Sequence, residues 1–285
     1  MPGLGLATLL PLLSDLHAGR HPELTATAAG RNAGLDALAT TTAAIAAAIA
    51  DLDEKICPIV RELDRSRTDR RWHTFQATSN AASRHTARLA GTITSAANDA
   101  LLVVTDLEPV QYTGSITSRH GLYMFAGPWT CRRCSRLGDR LRLCRPFDDV
   151  TDVTCVRPSS VTAAPLAEPV DLPTARLAAL LHAAIATVPT PVDAACAATL
   201  VHAMTVLTGR TRLVLSTWSE EINRRLSGRP ITALDGTFAP RHRDAITGRL
   251  GHAASGLATV LPQLRVAAAT LQDISARPPH PATPF

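Results

Sequence analysis

Three stretches of the chain place apolar residues at steps that alternate between three and four. The first runs through Leu35, Leu38, Ile45, Ile49, Leu52, Ile56, Ile59 and Leu63, with Thr42 filling its one gap. The second passes from Phe75 through Ala82, Leu89, Ile93, Ala96 and Ala100 to Val103, with Ser79 and Thr86 on the same line. The third holds Ile246, Leu250, Ala253, Leu257, Val260, Leu264, Ala267, Leu271 and Ile274. This spacing keeps one face of an α-helix apolar and predicts long helices with heptad seams. Pro58 and Pro262 fall inside two of them, so each helix is expected to kink or end there. Such seams serve either an intermolecular coiled coil or an intramolecular bundle. The prolines and the many alanines favour a compact bundle.

Between residues 101 and 157 the texture changes. Leu101–Thr105, Tyr112–Thr117, Leu122–Phe125, Arg140–Cys144 and Val150–Val156 have the composition of short strands. Pro109, Gly114, Gly127-Pro128 and Gly138-Asp139 punctuate them. Pro158 to Pro173 is expected to be an extended linker. Helical patterning then returns. Leu177, Leu180, Leu181 and Ile185 share a face, with Asp171 or Thr174 as the cap. A second helix is expected from Asp193 to Leu207, ending at Gly209. A third carries Leu215, Trp218, Ile222 and Leu226 and ends at Gly228. The organisation expected is an N-terminal helical region (1–105), a Cys/Arg-rich β insert (106–157), a linker (158–174), a C-terminal helical region (175–275) and a disordered tail (276–285). Leu4 to Leu13 reads as a short packing helix, not a signal peptide.

Composition sharpens this picture. Hydrophobic residues make up 46% of the 285 and aromatics only 4%, which suits close-packed alanine-rich helices better than a β-sandwich. Lys and Arg together number 29 and the net charge is +5. Lys55 is the only lysine, expected at a solvated helix position. Arginine stays charged at any relevant pH and suits bidentate phosphate contact, so a polyanion partner is permitted. GC-rich coding produces the same bias. The uncharged runs Leu177–Val192 and Ala194–Gly209 are too short to span a bilayer. A cytoplasmic, reducing compartment is therefore expected, where clustered cysteines serve as metal ligands or free thiols more often than as disulfides.

Four of the six cysteines, Cys131, Cys134, Cys144 and Cys155, fall in one short stretch. Cys131-Arg132-Arg133-Cys134 has the spacing of a zinc-ribbon knuckle on a hairpin, and Cys144 and Cys155 could complete a tetrahedron. His120 could replace one of them. Buried free thiols and a redox pair are the other readings. A second Cys-x-x-Cys is absent, so the motif is only moderately specific.

Arg132, Arg133, Arg136 and Arg140 surround the proposed zinc ligands and are candidate phosphate contacts. Arg65, Arg67, Arg70 and Arg71 beside Trp72 form a second candidate surface, where guanidinium groups could clamp phosphate and the indole could stack on a base. A solvated charged face is the plainer account of either cluster.

Signatures of catalysis are missing. There is no P-loop, no His-Glu-x-x-His, no Gly-x-Ser-x-Gly and no Gly-x-Gly-x-x-Gly after a strand. Asp51 to Glu54 reads as a polar helix face, and His242 and His252 have no evident partner at metal-ligand spacing. The sequence therefore predicts a mainly α protein: a helical bundle with a small Cys-rich, zinc-ribbon-like β insert. It predicts a non-enzymatic, zinc-stabilised adaptor that binds RNA or DNA or acts in regulation, with no membrane partner. The rival is an oligomeric structural or assembly protein, viral in type, that self-associates through its heptad helices.

Overall fold

The structure, a computed structural model, describes residues 25–64, 69–129, 140–144, 154–166, 170–188 and 192–275, without the side chains at 57–64, 69–75, 118, 127–129, 154–155 and 274. The segment 4–13 and the tail 276–285 lie outside it. Helix α1 (Ala28–Asp64) is followed by α2 (Asp69–Leu102). The two run antiparallel: the Asn32 amide donates to the Ala97 carbonyl, and the Ser83 hydroxyl to that of Ala46, each at 2.9 Å. Helices α3 (Pro173–Thr187), α4 (Ala194–Ser227) and α5 (Ala239–Ser275) complete a bundle. In it α5 packs on both α2 and α4, while α3 packs on α1.

The heptad seams are the interior of this bundle. Leu35, Leu38, Ile45, Ile49, Leu52 and Ile56 are all buried, as are Leu89, Ile93, Ile246, Leu250, Leu257 and Leu264. Burial of one such leucine contributes about 1.5–3 kcal/mol. Threonines sit on the same seams because each hydroxyl finds the carbonyl one turn back. Thr42 donates to Leu38 (2.8 Å), Thr86 to Ala82 (2.7 Å), Thr208 to Met204 (2.7 Å) and Thr211 to Leu207 (2.9 Å). Small residues admit large ones: the Trp218 indole lies over Gly34, and Leu89 over Gly256. The seam residues whose side chains are described, those that suggested a coiled coil, are thus largely buried within one copy of the chain.

The helix end expected at Gly209 does not occur, and neither proline ends its helix. Helix α1 continues through Pro58, α5 contains Pro262, and α4 runs unbroken through Gly209. A lone glycine costs a helix about 1 kcal/mol and a proline about 3. The flanking seam outweighs the cost, since Leu207, Thr211, Val260 and Leu264 are all buried. The cap of α3 is also different. Leu172 is its N-cap without a side-chain hydrogen bond, and Pro173 opens the helix. Asp171 instead holds Arg176 (Oδ1 to Nε 2.7 Å). Asp193 does cap α4, accepting from the Cys196 amide at 2.8 Å.

The β insert is a curled antiparallel sheet in the order β5-β4-β3-β2-β6. Its strands are β2 (Pro109–Tyr112), β3 (Gly121–Trp129), β4 (Arg140–Cys144), β5 (Thr154–Val156) and β6 (Val161–Ala163). Strand β1 (Val103–Thr105) pairs separately with β7 (Ile231–Ala233). The stretch expected as a linker therefore supplies the edge strand β6. Tyr112–Thr117, expected as a strand, is the end of β2 followed by a turn of 3-10 helix at Thr117–Arg119. Val110, Tyr123, Phe125, Leu141 and Leu143 form the core under the sheet.

Among the described residues one helical stretch, Ala28–Ile56, is long and apolar enough to cross a membrane by length and composition. Just over half of its 18-residue apolar window is buried inside the bundle.

Candidate functional site

The sheet register locates two of the four proposed zinc ligands. Trp129 pairs with Arg140, so the 130–139 segment that carries Cys131 and Cys134 is the β3–β4 connection. Cys155 stands opposite Arg142. Cys144 is half-buried at the other end of β4, opposite Met124. Four residues of strand, about 13 Å, separate it from the root of the connection. A metal at that root lies nearer Cys155 than Cys144. His120 cannot stand in, because it precedes Gly121, the end of the nine-residue β3 remote from the connection. Its Nε2 faces the Gly114 carbonyl at 2.6 Å. Among the described residues no group of three or more His, Cys, Asp or Glu is placed to hold a metal. Cys131 and Cys134 lie outside those residues.

Most of the proposed phosphate contacts also lie outside them: Arg65, Arg67, Arg132, Arg133 and Arg136 entirely, and Arg70, Arg71 and Trp72 in their side chains. Arg140 is described, and it is buried at 8% exposure rather than presented outward.

A first concave surface takes its arginines from α4 and α5. A groove of about 600 Å³ runs between these antiparallel helices. One wall is a helical stripe, His202, Val206, Gly209, Arg212 and Leu213; the other includes Leu261, Arg265 and Gln272. Arg210 also reaches it. Gly209 lies on its floor, where an added Cβ would meet Leu261 at an ordinary contact distance of 4.0 Å. No Asp or Glu lines the groove among the described residues. The stripe is legible in the sequence as steps of three and four beside the seam, but it reads as polar decoration until α5 is known to face it.

A second cavity, about 660 Å³, opens where the start of α1, the β1–β2 turn and the end of α4 meet. Its floor is a buried ion pair: Arg31 Nη1 lies 3.0 Å from Glu108 Oε1, with the two side chains 2% and 6% exposed. Arg31 also donates to the Ala26 and Val103 carbonyls. Glu108 accepts from the Ala28 amide (2.7 Å) and from the Thr105 amide (3.1 Å) and hydroxyl (2.8 Å). The rim carries Arg224, Arg225 and Arg229. Arg224 grips Glu221 through Nε (2.8 Å) and Nη2 (2.6 Å), and Arg225 grips it too. Those hydrogen bonds hold the Glu221 carboxyl down to a pKa of about 2.

Three polar side chains have roles the sequence did not reveal. Lys55 is not simply solvated: its ammonium donates to the Ile185, Ala186 (3.3 Å) and Val188 (2.7 Å) carbonyls, capping the end of α3. Asp53 is buried, not on a polar face, and burial, then the charge of Glu54, push its pKa up to about 6. His242 does have partners. Its Nδ1 faces Asp99 (2.9 Å), and its Nε2 faces the Thr237 hydroxyl (2.7 Å) and Asp235 (3.2 Å).

The order Asp99–His242–Thr237 is that of an acid, a base and a hydroxyl. The Thr237 hydroxyl is hydrogen-bonded to Asp235 as well (2.7 Å), and the Thr237 amide donates to the same carboxylate (3.0 Å). Burial raises the Asp235 pKa, but these two hydrogen bonds and the charge of His242 outweigh it and hold the carboxyl below its ordinary value. The cluster thus clasps α2 to the turn that opens α5. Cys196, a half-buried thiol, is pushed up by burial and by the charge of Asp193, which disfavours the reactive thiolate.

No family model, curated protein or solved structure matches the chain.

Proposed function

We propose that the protein is a non-enzymatic nucleic-acid-binding adaptor whose α4–α5 groove contacts the phosphate backbone. The lining of that groove carries the proposal: Arg212, Arg265 and His202, with no carboxylate lining it among the described residues. Guanidinium groups present planar pairs of donors to phosphate oxygens. The apolar floor at Val206 and Leu261 offers sugars and bases a surface. From His202 to Leu213 the stripe covers about 16 Å of helix, more than a single phosphate needs. The net charge of +5 favours encounter with any polyanion.

Fluorescence anisotropy with labelled single-stranded RNA and duplex DNA tests this. Binding is expected at low salt, with affinity falling steeply between about 50 and 200 mM. Absence of binding at low salt removes the proposal.

Zinc belongs to the same proposal as the stabiliser of a sheet too small to hold itself together alone. Its ligands would be Cys131, Cys134 and Cys155, with Cys144 only if the β3–β4 connection folds back along β4. Metal analysis of the purified protein decides it, and less than about half an equivalent of zinc argues against a structural site.

A further inference from the structure

We infer that the cavity above the Arg31–Glu108 pair is a second, separate ligand site that binds a phosphate monoester of mononucleotide size. Three features of the cavity meet there. Its rim brings together Arg229 with Arg224 and Arg225, the last two already sharing the Glu221 carboxylate. Arg229 is exposed and makes no ion pair or hydrogen bond among the described residues. On the floor, Arg31 is nine-tenths buried and its Nε has no acceptor among the described residues. Its remaining donors are directed at Glu108, Ala26 and Val103. That N–H is itself out of contact with solvent, so Arg31 lends the floor the charge of its guanidinium and not a donor to the ligand.

The backbone supplies the third feature. Glu108 N donates to the Thr105 carbonyl at 3.2 Å, closing a β-turn. Leu107 occupies the position in that turn with φ 66°. Glycine or asparagine normally stands at such a position, and a leucine there costs about 1–2 kcal/mol. Non-glycine residues held this way concentrate at ligand sites. The strain sets a large side chain, 73% exposed, on the cavity rim beside Leu226 and Pro109.

Those features specify the ligand class. Several guanidinium groups suit a phosphoryl group with three terminal oxygens better than a carboxylate with two. About 660 Å³ is far more than phosphate fills, and the apolar wall at Leu107, Pro109 and Leu226 takes the organic remainder. Asp106, on the same rim, opposes the anion and limits affinity. The monoester could belong to a free nucleotide or to the phosphorylated end of a nucleic acid. The site lies about 18 Å further along α4 than Arg212, so it does not depend on the groove.

Isothermal titration calorimetry with adenosine monophosphate, adenosine, and a short oligonucleotide with and without a 5′-phosphate tests the inference. The monophosphate is expected to bind and adenosine to fail. Arg229→Ala, an exposed change that leaves the fold intact by circular dichroism, should weaken monophosphate binding by about tenfold. Asp106→Asn should strengthen it. Arg212→Glu with Arg265→Glu should leave it unchanged, which separates this site from the groove. A phosphorylated oligonucleotide that outcompetes the monophosphate identifies a nucleic-acid end as the ligand; parity identifies the free nucleotide. Equal binding of adenosine and its monophosphate, or indifference to Arg229→Ala, overturns the inference.

Discussion

Arg31 Nη1 and Glu108 Oε1 meet at 3.0 Å where neither side chain reaches solvent appreciably. The pair joins the first turn of α1 to the β1–β2 turn, so it couples the helical bundle to the sheet. Removing one partner strands the other charge in a dry site. Glu108→Ala should therefore cost about 3–5 kcal/mol in urea denaturation. It also deprives the Ala28 and Thr105 amides of their acceptor. Arg31→Met combined with Glu108→Leu should cost clearly less than the sum of the single changes, because no charge is left unpaired. Additive losses would show that the two charges act independently.

Lys55 predicts a local effect. Its ammonium meets three carbonyls at the end of α3, where the helix dipole is negative. Lys55→Met should cost about 1–2 kcal/mol and raise amide hydrogen exchange in the last turn of α3, leaving α4 and α5 protected. Uniform exchange changes across the bundle would contradict a capping role.

Asp53 predicts a pH dependence with a definite sign. Burial raises its pKa from the ordinary 3.8 to about 6, so between those values the folded chain holds a proton that the unfolded chain has released. This group's contribution therefore favours folding most below pH 4, declines as pH rises to about 6, and is flat above. Asp53→Asn should remove that slope and stabilise the protein at pH 7 by about 1–3 kcal/mol. Thermal midpoints recorded from pH 4 to pH 8 check it. A destabilised Asn variant at pH 7 would mean that the carboxylate has a favourable partner.

The Trp218 ring stands 2.9 Å from the place a Cβ would take on Gly34. Gly34→Ala should thus push the indole off its seat and cost about 1–3 kcal/mol, although alanine is the better helix former. Gly248→Ala is the control, because nothing lies within 4 Å of its added Cβ. It should be neutral or stabilising.

These relationships explain what the sequence could and could not disclose. The heptad seams were legible because burial of one helical stripe leaves a period in the chain; Leu35 to Ile56 and Ile246 to Leu271 are buried as that period demands. The helix end at Gly209 was misjudged because local propensity, about 1 kcal/mol for a glycine, competes with several buried seam residues at once. Arg140 to Cys144 was recognisable as a strand from its composition, but its partners depend on contacts far along the chain. The pairing of β2 with β6 joins residues some fifty positions apart, Val110 with Ala163. The site arginines were hidden for a similar reason. Clusters adjacent in sequence drew attention, whereas Arg212 and Arg265 become neighbours only when α4 and α5 pack antiparallel. The same holds for Lys55 and Val188, and for His242 and Asp99.

The most direct test of the groove as the phosphate-contacting surface is the salt dependence of RNA binding in Arg212→Ala/Arg265→Ala against the unchanged protein. Each arginine that neutralises a phosphate contributes to the slope of log affinity against log salt, so the double variant should lose about 1 from that slope for each arginine removed and bind more weakly at low salt. An unchanged slope and affinity would contradict the account and place any nucleic-acid contact elsewhere on the molecule.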